Sequence, residues 1–165
     1  RFSEEKVEFT FEQVVEDLVA SMRQILKDGK ATLDITLHSD SGFPMYGYPG
    51  VVSQTLQNLI MNSLKHAFAH NGGKISIKAQ CHDGVTLRIH FADNGKGVSD
   101  SVKETLFDPF VTTGRGNGSS GLGLHLVQQW VTRVLGGSIR ISSRQDMEYP
   151  GLAFDIEIPL RVPED

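Results

Sequence analysis

The chain of 165 residues holds a single cysteine, Cys81. One thiol cannot form an internal disulfide, and a lone cysteine fits a reducing compartment. No apolar run approaches the roughly 20 residues that span a bilayer, and no secretory leader pattern is present. Basic residues form no run or stripe, and 16 Lys and Arg face 20 Asp and Glu, a formal charge of -4. That balance argues against a nucleic-acid or anionic-membrane surface. Together these absences predict a cytoplasmic domain that makes no membrane contact of its own. There is no internal repeat and no initiator methionine: the chain opens Arg1-Phe2-Ser3-Glu4-Glu5. It is therefore expected to be a piece of a longer protein, with room upstream for other domains or an inner-membrane anchor.

What remains is ordinary for a globular domain: 39% apolar and 22% charged residues, and enough length for one real core. Residues 1–6 read as the end of a linker, 7–160 as the domain and 161–165 as a tail. Val7-Glu8-Phe9-Thr10-Phe11 alternates like a short strand. Phe11–Lys27 carries apolar residues at helical spacing and closes on Lys27-Asp28-Gly29. Ala31–His38 alternates as a strand with one buried face, and residues 39–49 read as loop.

Gly50–Ala69 reads as a helix with two stripes. Val52, Leu56, Leu59, Ile60, Leu64, Ala67 and Phe68 form the apolar one; Asn58, Asn62, Lys65 and His66 form the polar one. Asparagine is a poor helix former, so two aligned asparagines suggest service to a site, although a solvated face explains them equally well when this helix is taken alone. Lys74–His82 and Val85–Ala92 are alternating strands joined through Asp83-Gly84, a hairpin signal. Ser99–Leu106 is a short helix, and Leu122–Leu135 a helix whose predicted core face includes Leu122, Leu126, Val127, Trp130, Val131 and Val134. Ser138–Ser143 and Leu152–Leu160 are the last strands. Strands in pairs between helices favour an α+β two-layer sandwich, with a mixed, mostly antiparallel sheet of about five strands under three helices.

The second hairpin strand runs into Asp93-Asn94-Gly95-Lys96-Gly97. Glycines 95 and 97 permit positive φ and close approach of a ligand, and an adjacent carboxylate can accept from a donor such as a purine amino group. Asp-Asn-Gly is also an ordinary turn sequence. Further on, Thr112-Thr113-Gly114-Arg115-Gly116-Asn117-Gly118-Ser119-Ser120-Gly121 leads into an apolar helix pattern. Free loop amides ahead of a helix suit phosphate.

As an ordered set, these motifs resemble the ATP-binding domain shared by sensor histidine kinases, gyrase B, heat-shock chaperone ATPases and mismatch-repair ATPases (the Bergerat-type fold). Asn58 through Ala67 looks like the asparagine box, and Asp93-x-Gly95-x-Gly97 like the first glycine box. Phe107-Asp108-Pro109-Phe110 resembles the phenylalanine box that distinguishes histidine kinases, and Gly118-Ser119-Ser120-Gly121-Leu122-Gly123-Leu124 the second glycine box. The resemblance implies the catalytic domain of a two-component sensor histidine kinase that binds ATP and Mg²⁺. Asp93 would accept from the adenine amine. Asn62, with Asn58 helping, would hold Mg²⁺. Lys65 and His66 would face phosphates or ribose, with Thr113–Ser120 as the lid. Phe110 would anchor that lid, Thr112 would border it, and Gly121, Leu122, Gly123 and Leu124 would open a helix aimed at the phosphates. Arg115 or Lys65 would steady charge on the transferring group.

The resemblance also implies partners: a histidine-bearing dimerisation domain of the same parent, a response regulator, and a homodimeric parent. Where gyrase-like relatives carry a glutamate base, this chain has Asn58, a poor base, which disfavours an ATP-hydrolysing clamp and favours transfer to another group. Ser119 stands where many relatives have glycine. A regulatory module that binds nucleotide without turnover is the alternative from another class.

Other patterns carry less. Gly116-x-Gly118-x-x-Gly121 matches a dinucleotide-binding spacing, but no buried strand precedes it and no βαβ unit follows. No Gly-x-x-x-x-Gly-Lys-Ser/Thr occurs. His66 and His70 stand four apart, but no third metal ligand has a recognisable spacing.

Overall fold

The computed structural model describes residues 4–68, 71–109, 124–144 and 146–164. Among them, no helix is long and apolar enough to cross a membrane. A five-stranded mixed sheet has the order β2-β4-β5-β7-β6: Ala31–Ser39, Gly73–Cys81, Thr86–Asp93, Ala153–Pro159 and Ser138–Ile141. Only β2 and β4 run parallel. A parallel pair needs a long crossover, and here it contains helix α2.

Residues 39–49 were expected to be loop, yet Pro44–Gly47 forms strand β3, which pairs antiparallel with β1, Val7–Thr10, as a separate ribbon. The pattern was hidden by Gly42, Pro44 and Gly47, which read as turn residues. The ribbon also holds the chain's end: Tyr46 bridges to Arg161, and the amide of Val162 donates to Tyr46 O at 2.8 Å.

Helix α1, Phe11–Asp28, follows its periodicity: Phe11, Val14, Val15, Leu18, Met22 and Leu26 are buried. Thr10 caps it by accepting from the Gln13 amide at 3.2 Å. At the far end, the Gly29 amide donates to Ile25 O at 3.0 Å, and Lys30 takes the left-handed turn with φ of 55°. Helix α2, Pro49–Asn62, begins on Pro49, whose missing N–H costs nothing in a first turn. It buries Leu56, Leu59 and Ile60 against the sheet residues Ile75, Ile77, Leu87 and Ile89. Each such side chain contributes about 1.5–3 kcal/mol by leaving water.

The α-helical run of α2 does not reach Ala69 as predicted. Ser63–Ala67 forms a π-helical turn and Phe68 is extended. The short helix α3, Asp100–Glu104, is capped by Ser99, whose Oγ accepts from the Val102 amide at 3.3 Å. Helix α4, Leu124–Gln129, also continues into a π turn, Trp130–Val134. Leu124, Val127 and Val131 are buried, but Leu126 is 51% exposed and leaves the expected core face. The opposite face of the sheet is polar, with Thr36, Lys78, Gln80 and Arg88 on it. Beside these, Tyr149 packs on Ala92 and Ala153.

Candidate functional site

Two neighbouring residues at the end of α2 define the site. Asn62 is 6% exposed, and its Oδ1 is buried without a hydrogen-bond partner among the described residues. Such an orphan costs about 1–3 kcal/mol, so it marks a place where an external donor or cation belongs. The next residue, Ser63, donates from Oγ to Asp93 Oδ2 at 2.9 Å. The π turn that opens at Ser63 is the kind of helix irregularity often found at functional sites.

Asp93 ends β5 and is 2% exposed. Its Oδ1 accepts from the Gly95 amide at 2.9 Å and the Leu152 amide at 3.3 Å. Burial pushes its carboxyl above the usual range, while the Gly95 amide, the Ser63 hydroxyl and the Leu152 amide oppose the shift. A carboxylate offers about four acceptor positions, and the described residues fill three of them. The remaining one, on Oδ2, can take a single N–H donor.

The turn after Asp93 is pressed onto α2. A Cβ at Gly95 would overlap the side chain and carbonyl of Ala67, and the Lys96 amide donates to Ala67 O at 3.2 Å. Gly97 has φ of 71°, the left-handed region that glycine tolerates best. Lys65 and Lys96 are both exposed and both act on His66, which is half-buried. Burial, then Lys65, then Lys96 hold the His66 imidazole below its ordinary pKa, favouring the neutral ring.

Residues 47–162 match the family of histidine kinase-, DNA gyrase B- and HSP90-like ATPases. The chain belongs to that family. Within it, the chain is an ATP-binding domain of the sensor-histidine-kinase kind. The alginate biosynthesis sensor protein KinB of Pseudomonas aeruginosa is 34% identical over 93 residues, 56% of this chain and 15% of KinB. Sensor histidine kinase CpxA of Escherichia coli is 30% identical over 122 residues, 72% of this chain and 25% of CpxA. The chain thus spans a quarter or less of these curated relatives.

The solved catalytic domain of histidine kinase ThkA superposes with a TM-score of 0.76 at 23% identity, covering 96% of this chain and 99% of that one. ThkA solved with the response regulator TrrA gives 0.71 at 21% identity, over 94% of this chain and 42% of that one. These structures share the α+β fold: a mixed five-stranded sheet with helices on one face.

In this ATP-binding domain, Asn62, Lys65, His66, Asp93, Gly95 and Gly97 gather where the end of α2 meets the end of β5, linked by Ser63 to Asp93 and by Ala67 to Gly95 and Lys96. Asn58 is half-buried one helical turn before Asn62. Leu124 is buried at the start of α4. Phe107 packs on Phe154, ring centroids 6.0 Å apart. Phe110, Thr112, Thr113, Gly114, Arg115, Gly116, Gly118, Ser119, Ser120, Gly121, Leu122 and Gly123 lie outside the described residues, as does His70. Among the described residues, no group of three His, Cys, Asp or Glu side chains could hold a metal.

Sequence reasoning missed Ser63, Gly151 and Leu152, all of which touch Asp93. The signals were a polar residue directly after Asn62 and a glycine directly before an apolar strand.

Proposed function

We propose that this chain binds Mg-ATP and presents the γ-phosphate to a histidine on a separate dimerisation domain of its parent protein. The observation that carries the reading is the orphaned Asn62 Oδ1 one residue from the Ser63–Asp93 hydrogen bond. An oxygen suited to a hard cation thus belongs to the residue next to the serine that holds a carboxylate suited to an amine.

The residues divide the work. Asp93 Oδ2 accepts one hydrogen of the adenine amino group. Asn62 Oδ1, with Asn58 beside it, would hold Mg²⁺, a cation that needs few protein oxygens and that would supply charge neutralisation for the triphosphate. Lys65 faces the phosphates, and a neutral His66 lines the site without adding a second fixed charge. Phosphoryl transfer then needs mainly position and charge neutralisation. Arg115 and the 112–121 loop supply the lid side of the site on the strength of their sequence. Asn58 leaves no carboxylate to activate water at that position, which supports transfer over hydrolysis. Residues 7–160 form the functional unit, with 1–6 and 161–165 flanking it. The partners are the histidine-bearing domain and a response regulator, with the parent a homodimer in the cytoplasm or on its membrane.

The test is labelled ATP and Mg²⁺ mixed with this chain and a separate histidine-bearing helical domain. Label on the acceptor histidine is expected. Binding without transfer would reassign the chain as a regulatory module, and steady phosphate release by the chain alone would make it an ATP-hydrolysing clamp.

A further inference from the structure

Ser63 takes part in none of the roles set out above, yet it makes the only side-chain hydrogen bond to Asp93 among the described residues. It is 1% exposed, so its hydroxyl has no access to bulk water to satisfy it otherwise. A serine hydroxyl has one proton, and here it points at Asp93 Oδ2 over 2.9 Å. The other carboxylate oxygen is held by two backbone amides, Gly95 at 2.9 Å and Leu152 at 3.3 Å. With Oδ1 fixed by the backbone, the carboxylate plane still has one torsion to choose. Among the described residues, only Ser63 restrains Oδ2.

We propose that Ser63 is the positioning and specificity residue of the base site: it locks the Asp93 carboxylate so that one acceptor position on Oδ2 remains, set to take an exocyclic amino group and to refuse a carbonyl. Donors fill two positions on Oδ1 and one on Oδ2, and an ionised carboxylate has no proton of its own to give a ligand. A purine carrying a carbonyl in place of the amine brings oxygen against oxygen. Without Ser63 the carboxylate swings, the amine loses its aligned partner, and the penalty on the carbonyl eases.

This inference rests on the adenine reading of Asp93, and the experiment separates the two. Calorimetry compares ADP with inosine diphosphate, in which a carbonyl replaces the amino group, at fixed Mg²⁺, on the whole chain. The unaltered chain is expected to prefer ADP. Ser63→Ala is expected to weaken ADP about tenfold, the usual scale for a lost hydrogen bond to a charged group, while inosine diphosphate changes less than about twofold. Ser63→Cys keeps the volume and offers a weaker donor, and is expected to fall between the two. A thermal melt of each variant establishes that it is folded before binding is compared. Equal losses for both nucleotides would show a merely structural serine and overturn the proposal, as would an unmoved ADP preference. Failure of the unaltered chain to bind ADP would instead overturn the functional reading, and this inference with it.

Discussion

Gly151 and Asp93 are fitted so closely that a Cβ on Gly151 would overlap Asp93 Oδ1. The contact lies within a two-strand clamp. The Gly151 amide donates to Asp93 O at 2.9 Å, and the Asp93 amide donates to Leu152 O at 3.1 Å. The Asp93 carboxylate is therefore positioned by the entry to β7, some sixty residues downstream, as much as by its own turn.

Gly151→Ala follows directly from that fit. The methyl group must displace the Asp93 side chain or the Gly95 amide, which it would also crowd at 2.8 Å. Nucleotide affinity is expected to fall at least about tenfold, with a stability loss of about 1–3 kcal/mol from overpacking. Calorimetry with ADP and a thermal melt measure the two effects. Unchanged affinity would detach Asp93 from the base site.

Asp93 also predicts opposite pH trends for binding and stability. Its folded pKa is raised from 3.8, chiefly by burial. The folded state therefore holds the proton more tightly than the unfolded state, and stability falls as pH rises through the window from 3.8 to the raised value. The proposed adenine contact uses the ionised carboxylate, so affinity is expected to rise through the same window. Asp93→Asn is expected to flatten both trends and to weaken preference for ATP over GTP. Melts and calorimetry from about pH 4 to 7 on both chains check this, the difference between them giving the Asp93 share; the same pH dependence in the unaltered chain and in Asp93→Asn would contradict it.

Much of this was legible because periodicity and motif order are local. The apolar stripes of α1 and α2, the hairpin Gly73–Asp93, and the approach of the end of α2 to Asp93 all follow from residues that announce themselves. What escaped was set by distant packing. Strand β3 exists because β1 pairs with it, which overrides its turn-like composition. The π turn at Ser63 has no sequence signature, yet it marks the point where the α-helical run of α2 stops. Leu126 fell on the predicted apolar face, but α4 turns it to solvent. Gly151 looked like loop punctuation because its neighbour Asp93 is not near it in sequence.

Asn62→Ala separates binding from stability. Its buried Oδ1 has no partner among the described residues, so removing it relieves a cost of about 1–3 kcal/mol. Against this stands the volume lost at a buried position. The net expectation is a melting temperature within a few degrees of the parent, with a much shallower Mg²⁺ dependence of nucleotide binding. Calorimetry at varied Mg²⁺ reads the second quantity. A large drop in melting temperature with an unaltered Mg²⁺ titration would make Asn62 a structural residue and remove it from the metal site.

His66 gives a prediction on the phosphate side. Burial is the largest cause of its lowered pKa, followed by Lys65 and then Lys96. Because the folded pKa lies below 6.5, the unfolded state binds more protons in that window. The contribution to stability is therefore fully present above pH 6.5 and is lost as pH falls through the folded value. Lys96→Ala removes one repulsive cation and should move the His66 titration upward, though not fully to 6.5, since burial and Lys65 remain. An NMR titration of the His66 ring measures it directly. Added nucleotide should act in the same direction and more strongly, because phosphate charge beside the ring favours the imidazolium. If nucleotide leaves the His66 titration where it was, the phosphates do not lie beside the end of α2, and the orientation proposed for the triphosphate is wrong.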